Sequence, residues 1–550
     1  MFKRFIYAFF KKLSIRNLSD KMAEIWGDRT AFVVPDNKSP YFDEFISYRQ
    51  AYMFVKNICD ILKDNGLEKG DRVIGFMSNS IENFLVMLAS LRAGCIFVPL
   101  NPLLKANEII EIVEETNSKF IFCDTRNLIE LEKLIEIKGE SRFKIFVVPF
   151  EEIGNGKSYI VLNKEVVFSE RKAEKGEEER GKKEDIDENS DACIMFTSGT
   201  TGKSKGAILK EVSFNKKYIR RPLRITSFFP TFRKHLMIHS LPLSHVMGMS
   251  AQLTAYSIGL PVIYLGKFES KRILENVEKY KATFFVGVPT MYKMLLREDD
   301  IERRDLSSIK VFLSAADVMP IELAKRVQEL TKKKFLFFTR KARFIEIYGQ
   351  VELTGAATVK VHLPWMKRTG CIGIRLAGTK VRIVNSEGKR VLMPGKEGEL
   401  WVKGDSVLKG YWGDDDMTKK SFEGEWFKTG DIVKRSWTGL LYFVGRDKDM
   451  LKVGGYSVFP SEIEEEIRKY PNVLDCVVFG ITDELKGTKP YVAIIPRGEL
   501  NSESFEKWMK EHISPYKVPR KVFVVDRFPS TDTMKVKRKI LSELFIDKVL

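Results

Sequence analysis

Residues 197–206 are Thr197, Ser198, Gly199, Thr200, Thr201, Gly202, Lys203, Ser204, Lys205 and Gly206, directly after the apolar run Cys193, Ile194, Met195 and Phe196. No other stretch constrains the fold as much. A strand running into small, hydroxylic and basic residues offers an anion uncovered backbone N–H groups, hydroxyl donors and lysine charge, which is how a phosphate is cradled. The ending Gly202, Lys203, Ser204 imitates a Walker A loop, but that motif needs a glycine five residues before Gly202, where Thr197 stands. A plain surface turn is the bland alternative, and so long a run of these residues after a strand argues against it.

Alternation elsewhere sets the frame for this loop. Between Arg72 and Cys123, apolar runs at 73–77 and 95–98 flank a helical-period segment at 81–91, the pattern of an α/β layer with parallel strands. A second such stretch covers about 237–313, with strands expected at 237–238, 262–264 and 284–286 and a helix over 270–281. From Thr379 onward, short strands at 381–384 and 399–402 around a turn at 385–389 predict a small β-rich subdomain. Residues 169–191 are dense in Glu and Lys and read as a solvated linker.

Composition excludes several classes. Cys59, Cys95, Cys123, Cys193, Cys371 and Cys476 form no CxxC pair, so neither a zinc site nor a disulfide framework is indicated and a reducing cytoplasm is expected. The longest apolar stretch, near 84–100, is broken by Arg92 and falls short of the ~18 residues that span a bilayer. The first residues begin like a signal peptide, but their apolar core is short and ends in lysines. The net charge of +18 is uneven: residues 1–16 carry Lys3, Arg4, Lys11, Lys12 and Arg16 without an acid, and residues 332–343 carry a second basic run. On a helix Phe2, Phe5, Ile6, Phe9 and Leu13 share one face. Residues 1–16 therefore suit peripheral contact with a membrane and equally an arm packed on the protein's own surface. No nucleic-acid recognition module is present, so no nucleic-acid partner is expected.

Further motifs follow in order: Gly70 to Val73, Ala93 to Pro102, Leu241 to His245, Val288 to Thr290, Tyr348 to Glu352, Gly398 to Leu400, Gly410 to Trp412, Thr429 to Asp431, Gly445 to Asp449, Gly455 to Glu464, and a tail with Pro529, Lys535 and Arg538. Together with residues 197–206 they resemble the adenylate-forming superfamily, the AMP-dependent acyl-CoA synthetases and ligases, over about residues 18–545. The resemblance implies an α/β fold: a large N-terminal domain of two α/β layered subdomains plus a small β-rich subdomain, followed by a small mobile α+β C-terminal domain. The expected divisions are an arm at 1–17, an AMP-binding domain at 18–445 and a mobile domain at 446–550.

The resemblance also assigns roles. The implied enzyme is an AMP-forming acyl-CoA ligase that joins a carboxylic acid, with a fatty acid as one candidate, to AMP from ATP and then transfers the acyl group to CoA. Thr197, Ser198, Gly199, Thr200, Thr201, Gly202 and Lys205 would hold the β- and γ-phosphates, and Glu352 would hold Mg²⁺, a hard cation that prefers oxygen. Tyr348 would stack on adenine beside Ala315, Ala316 and Asp317, while Asp431 and Arg446 would take the ribose. Lys535 would bridge the carboxylate and α-phosphate. Lys448 would be the hinge, with Lys452 and Gly455 beside the CoA chain, and Gly455 would admit pantetheine close to the backbone. His245, Ile347 and Val351 would border the acid.

Val351 stands where the family has threonine, Ser204 replaces proline, Met534 replaces glycine, Ala315 and Ala316 replace the adenine-loop glycines, and Ile347 replaces a pocket-lining glycine. A hydroxyl lost at a charged site costs on the order of 1–3 kcal/mol, which slows catalysis without abolishing it. Two further readings stay open: a freestanding adenylating enzyme that loads a carrier protein, and a degenerate nucleotide-binding member.

Overall fold

The computed structural model describes residues 2–9, 13–139, 142–151, 159–168, 187–197, 204–228, 235–335, 338–363, 370–453, 456–483, 487–530 and 536–548. The linker at 169–186 and the loop tip at 198–203 lie outside these. A first sheet has seven strands in the order Ile160–Val161, Lys144–Val148, Phe120–Asp124, Arg72–Phe76, Ile96–Pro99, Asp191–Thr197 and Lys205–Lys210. All neighbours are parallel except the last pair, the hairpin around the phosphate-type loop.

A second sheet starts from parallel strands at Thr30–Val33, Val262–Tyr264, Met237–His239, Phe284–Gly287, Val311–Ala315 and Arg343–Gln350. It continues antiparallel through Gly355–Val361, Cys371–Arg375, Leu441–Arg446, Trp426–Arg435, Glu397–Gly404 and Thr379–Val384. The β-rich piece is thus hydrogen-bonded onto the second α/β layer through Cys371–Arg375 and Leu441–Arg446.

Burial explains the helices between the layers. Ile81–Arg92 starts at Ser80, whose side chain accepts from the Asn83 amide, and buries every residue from Ile81 to Leu91. Tyr48–Asp64 opens with a reciprocal Ser47 and Gln50 capping box. The arm helix Phe2–Phe9 packs on the protein: Tyr7 is buried and its hydroxyl donates to Glu24. Beyond it the Ile15 amide donates to Asn215 Oδ1 at 2.7 Å, and Arg16 pairs with Glu211.

After Arg446 come a hairpin of Leu451–Val453 and Tyr456–Val458, the helix Pro460–Ile467, a sheet of Val473–Asp483, Gly487–Pro496 and Val522–Val524, and the helices Ser502–His512 and Arg538–Phe545. This part has its own apolar clusters around Val458, Ile463 and Val492 and around Phe479 and Phe523. No helix among the described residues is long and apolar enough to cross a membrane.

Candidate active site

Three strands of the second sheet, two of them neighbours and the third separated from them by two others, converge on one carboxylate. Asp431 faces Arg446 in register across the Trp426–Arg435 and Leu441–Arg446 pair, and its side chain is 1% exposed. Tyr348 and Gln350, two apart on Arg343–Gln350, present their side chains to the same side, as strand alternation requires. The Tyr348 hydroxyl donates to Asp431 Oδ2 at 2.5 Å and Gln350 Nε2 donates to the same oxygen at 2.7 Å. Gln350 Nε2 also reaches the Thr429 carbonyl at 3.0 Å. Among the described residues Oδ1 has no hydrogen-bond donor and faces the Arg446 Nε charge at 3.2 Å. Burial first, and then the Asp431 charge, raise the Tyr348 phenol well above its ordinary range, so it stays a donor. The turn before Asp431 is tied by the Gly430 amide to Glu399 Oε1 at 2.9 Å and by the Thr429 hydroxyl to the Leu400 carbonyl at 2.6 Å.

Glu352 lies in the tight turn Val351–Leu353 that follows Gln350. Tyr411 donates its hydroxyl to Glu352 Oε1 at 3.2 Å, and the Leu408 amide donates to the Glu352 carbonyl at 2.7 Å. The segment holding Tyr411 also grips the phosphate-type hairpin: Ala207 bridges Tyr411, and the Trp412 amide donates to the Gly206 carbonyl at 2.7 Å. Gly206 has no room for a side chain, since a Cβ would come within 2.9 Å of Ile194 and 3.2 Å of Trp412. At the hairpin's end Thr197 pairs with Lys205. Ser198, Gly199, Thr200, Thr201 and Gly202 fall outside the described residues.

Ala315 ends its strand in register with Ile347, which in turn pairs with Val359. Ala316 adopts a left-handed φ of 75°, a conformation suited to the glycine it replaces. Asp317 accepts from the Val318 amide at 2.7 Å. His245 stands in extended backbone at the position just before the helix Val246–Ile258.

Comparison with known proteins decides what this arrangement belongs to. A family model described as AMP-binding enzyme matches residues 20–412, and a second, described as the AMP-binding enzyme C-terminal domain, matches residues 462–535. The chain belongs to the AMP-binding enzyme family. Within it the chain is similar to a 4-coumarate–CoA ligase-like protein of Arabidopsis thaliana, at 28% identity over 92% of this chain and 89% of that one. It is also similar to a long-chain-fatty-acid–CoA ligase of Bacillus subtilis, at 27% identity over 92% and 90%. Its fold matches ATP-bound MatB from Rhodopseudomonas palustris with a TM-score of 0.81 at 25% identity, covering 98% of this chain and 100% of that one. The chain is an adenylate-forming acid–thiol ligase of the acyl-CoA synthetase type.

In this AMP-binding enzyme the C-terminal candidates are held less directly. Lys448 is exposed in the turn Asp447–Asp449; the partial desolvation it still feels, and then the Arg446 charge, lower it below the ordinary lysine range. Lys452 is exposed on Leu451–Val453. Gly455 and Lys535 lie outside the described residues. The base of the Lys535 loop is nevertheless pinned: Ser530 bridges Val536, the Lys537 amide donates to the Pro529 carbonyl at 2.8 Å, and Arg538 reaches Glu464 at 2.8 Å.

Sequence reasoning missed Gln350, Glu399, Tyr411, Lys217 and Tyr218. Lys217 sits in a π-helical turn, Asn215–Arg220, and its ammonium donates to the Leu353 carbonyl at 2.9 Å. Tyr218 donates to the Thr354 carbonyl at 2.5 Å and accepts from the Ala356 amide at 3.0 Å. Only glycine fits between them, because a Cβ on Gly355 would lie 2.5 Å from the Tyr218 oxygen. The pair braces the turn that carries Glu352. The π-turn follows directly on the four-residue helix Glu211–Phe214 behind the hairpin, and π-turns often mark functional sites, but no sequence motif announces one.

Proposed function

We infer that the chain activates a carboxylic acid by attack of its carboxylate on the α-phosphate of ATP, releasing pyrophosphate, and then passes the acyl group from AMP to the thiol of CoA. The observation that carries this reading is the half-satisfied Asp431 carboxylate. Its Oδ2 is saturated by Tyr348 and Gln350, while Oδ1, buried beside Arg446, has no donor among the described residues, a geometry suited to an incoming sugar hydroxyl. In this reading Asp431 and Arg446 take the ribose, Tyr348 lies against adenine with Ala315, Ala316 and Asp317, and residues 197–205 take the β- and γ-phosphates. Lys535 neutralises charge at the α-phosphate in the first half-reaction. Rotation about Lys448 then brings Lys452 and Gly455 to the pantetheine chain.

Mg²⁺ suits the donors present. Glu352 offers oxygen, and among the described residues no cluster of three acidic, His or Cys side chains forms a cage. Mg²⁺ is commonly held by one or two carboxylates with phosphate oxygens and water, and there it supplies charge neutralisation. Glu352 is the residue that would hold it. His245, Ile347 and Val351 border the acid, and a fatty acid is the proposed class, supported by the similarity to a long-chain-fatty-acid–CoA ligase. The six buried, unpaired cysteines suit a reducing cytoplasm.

Acid-dependent exchange of pyrophosphate into ATP, screened across short, long and aromatic acids, tests the reading. Exchange with at least one acid is expected, and Lys535→Ala should lower it by about 10²–10³-fold. No exchange with any acid would leave only the nucleotide-binding alternative. Thioester formation with CoA against a holo-carrier protein separates the two acceptors.

A further inference from the structure

The arm helix Phe2–Phe9 is packed inside out. Tyr7 faces the protein, at 5% exposure, while Phe5 and Phe9 of the apolar stripe point outward at 39% and 38%. They meet Phe228 just beyond the helix Arg221–Ser227: ring centroids lie 4.7 Å apart for Phe5 and Phe9, 6.4 Å for Phe5 and Phe228, and 5.8 Å for Phe9 and Phe228. Ile225 extends the patch, and it and Phe228 are 63% and 62% exposed. The Arg224 guanidinium stands 5.7 Å from the Phe9 ring. A contiguous aromatic patch built from two helices is what a soluble surface ordinarily avoids, and it marks a surface that something covers.

We propose that this patch seats the protein on an anionic membrane surface. Arg224 is exposed beside the rings, the sequence of residues 1–16 holds five basic residues and no acidic one, and the helix Arg221–Ser227 has no acidic residue. A second copy laid on the patch about a two-fold axis would bring these like charges together, whereas anionic lipid headgroups complement them. Phe5, Phe9, Ile225 and Phe228 then enter the boundary between headgroups and acyl chains, with Arg224 at the headgroup level, as interfacial helices do. The arm is thereby both docked on the protein, through Tyr7, and membrane-facing, through its phenyl rings. The patch also sits at the far end of the helical run whose Lys217 and Tyr218 brace the Glu352 turn, about 15 Å away at 1.5 Å per residue.

Co-sedimentation of the full chain with phosphatidylglycerol vesicles, and separately with phosphatidylcholine vesicles, tests the proposal. Strong pelleting is expected with the anionic vesicles, weakened by salt, and little with the zwitterionic ones. Combined Phe5→Ser, Phe9→Ser and Phe228→Ser should lower vesicle affinity on the order of tenfold per ring removed. Pyrophosphate exchange with a water-soluble acid should be unchanged in that variant. Arg224→Glu should weaken binding to the anionic vesicles selectively. If the triple variant fails to fold, Phe228→Ser alone, at a surface position, reads the same loss at one ring's magnitude. Wild-type protein that stays in the supernatant, or a triple variant that pellets as well as wild type, overturns the proposal. So does a wild-type dimer without vesicles that the triple variant converts to monomer, because the patch then belongs to a second copy.

Discussion

Asp431 and Glu464 are both buried carboxylates facing arginine, one among the candidate nucleotide residues and one in the C-terminal part, and they are satisfied differently. Glu464, 3% exposed, accepts from the Val478 amide at 2.9 Å and Arg538 at 2.8 Å on Oε1, and faces Arg468 at 3.4 Å on Oε2. Burial opposes its charge, yet Arg538 and Arg468 outweigh burial and hold the carboxyl below the ordinary range. Asp431 has one saturated oxygen and one without a donor. A closed network is structural: it fastens the base of the Lys535 loop to the helix Pro460–Ile467. An open one keeps acceptor capacity for a ligand.

The largest effect should come from breaking the closed network. Glu464→Ala leaves two arginines without their shared partner, and losing one side of a buried pair costs about 3–5 kcal/mol. Denaturant unfolding monitored in the C-terminal part should show this loss, and pyrophosphate exchange should fall because the Lys535 loop loses its Arg538 anchor. Unchanged stability would break the distinction at its structural end. Asp431→Asn should behave oppositely: ATP affinity measured by calorimetry falls about 10- to 100-fold, the range for a hydrogen bond to a charged group. Stability of the ligand-free protein should hardly move. An apo stability loss as large as that of Glu464→Ala would make Asp431 a structural group as well.

Lys217 sharpens the comparison from the cationic side. It is buried against the Leu353 and Thr354 carbonyls, and burial first, then the Arg221 charge, lower it to about 7. The unfolded lysine titrates near 10.4. Between these values the unfolded chain binds more protons, so stability must rise with pH from about 7 toward 10.4, by at most about 1.4 kcal/mol per pH unit. Below pH 7 both states are protonated and the contribution is flat. The difference between wild type and Lys217→Met, followed by denaturant melts across this window, isolates the group. A pH-independent difference would mean that Lys217 is stably charged in the fold.

The open site was partly legible. Spaced motifs located Tyr348, Asp431 and Arg446, and strand alternation from Tyr348 points to Gln350 on the same face. Gln350 was passed over because its partners, Thr429 and Asp431, lie about eighty residues away on a strand that is not its neighbour in the sheet, so only the folded sheet brings them together. The same limit hid Glu399, which holds the Gly430 amide, and Tyr411, which reaches Glu352. Alternating runs predicted strands at 237–238, 262–264 and 284–286, and the structure has them at Met237–His239, Val262–Tyr264 and Phe284–Gly287, because buried parallel strands are continuously apolar. They did not predict that the β-rich strands continue the second sheet, since that pairing, Cys371 with Tyr442, crosses a register shift between distant segments. Helical periodicity defined the arm's apolar stripe but not its direction, because the contact that orients it comes from Tyr7, off the stripe.

The smallest expected effect concerns strain beside the open site. Ala316 keeps φ at 75° although a Cβ disfavours the left-handed region, by roughly 1–2 kcal/mol. Glycine removes that cost but adds about 0.4–1 kcal/mol of unfolded-chain entropy, so Ala316→Gly should stabilise the protein by about 0.5 kcal/mol. ATP affinity should stay unchanged, because the backbone already holds the conformation that glycine would adopt. A melt that falls, or an affinity that shifts, would show that the Ala316 methyl is packed against something that fixes the loop. In that case the Ala316 loop, like Glu464, would be a closed structural contact.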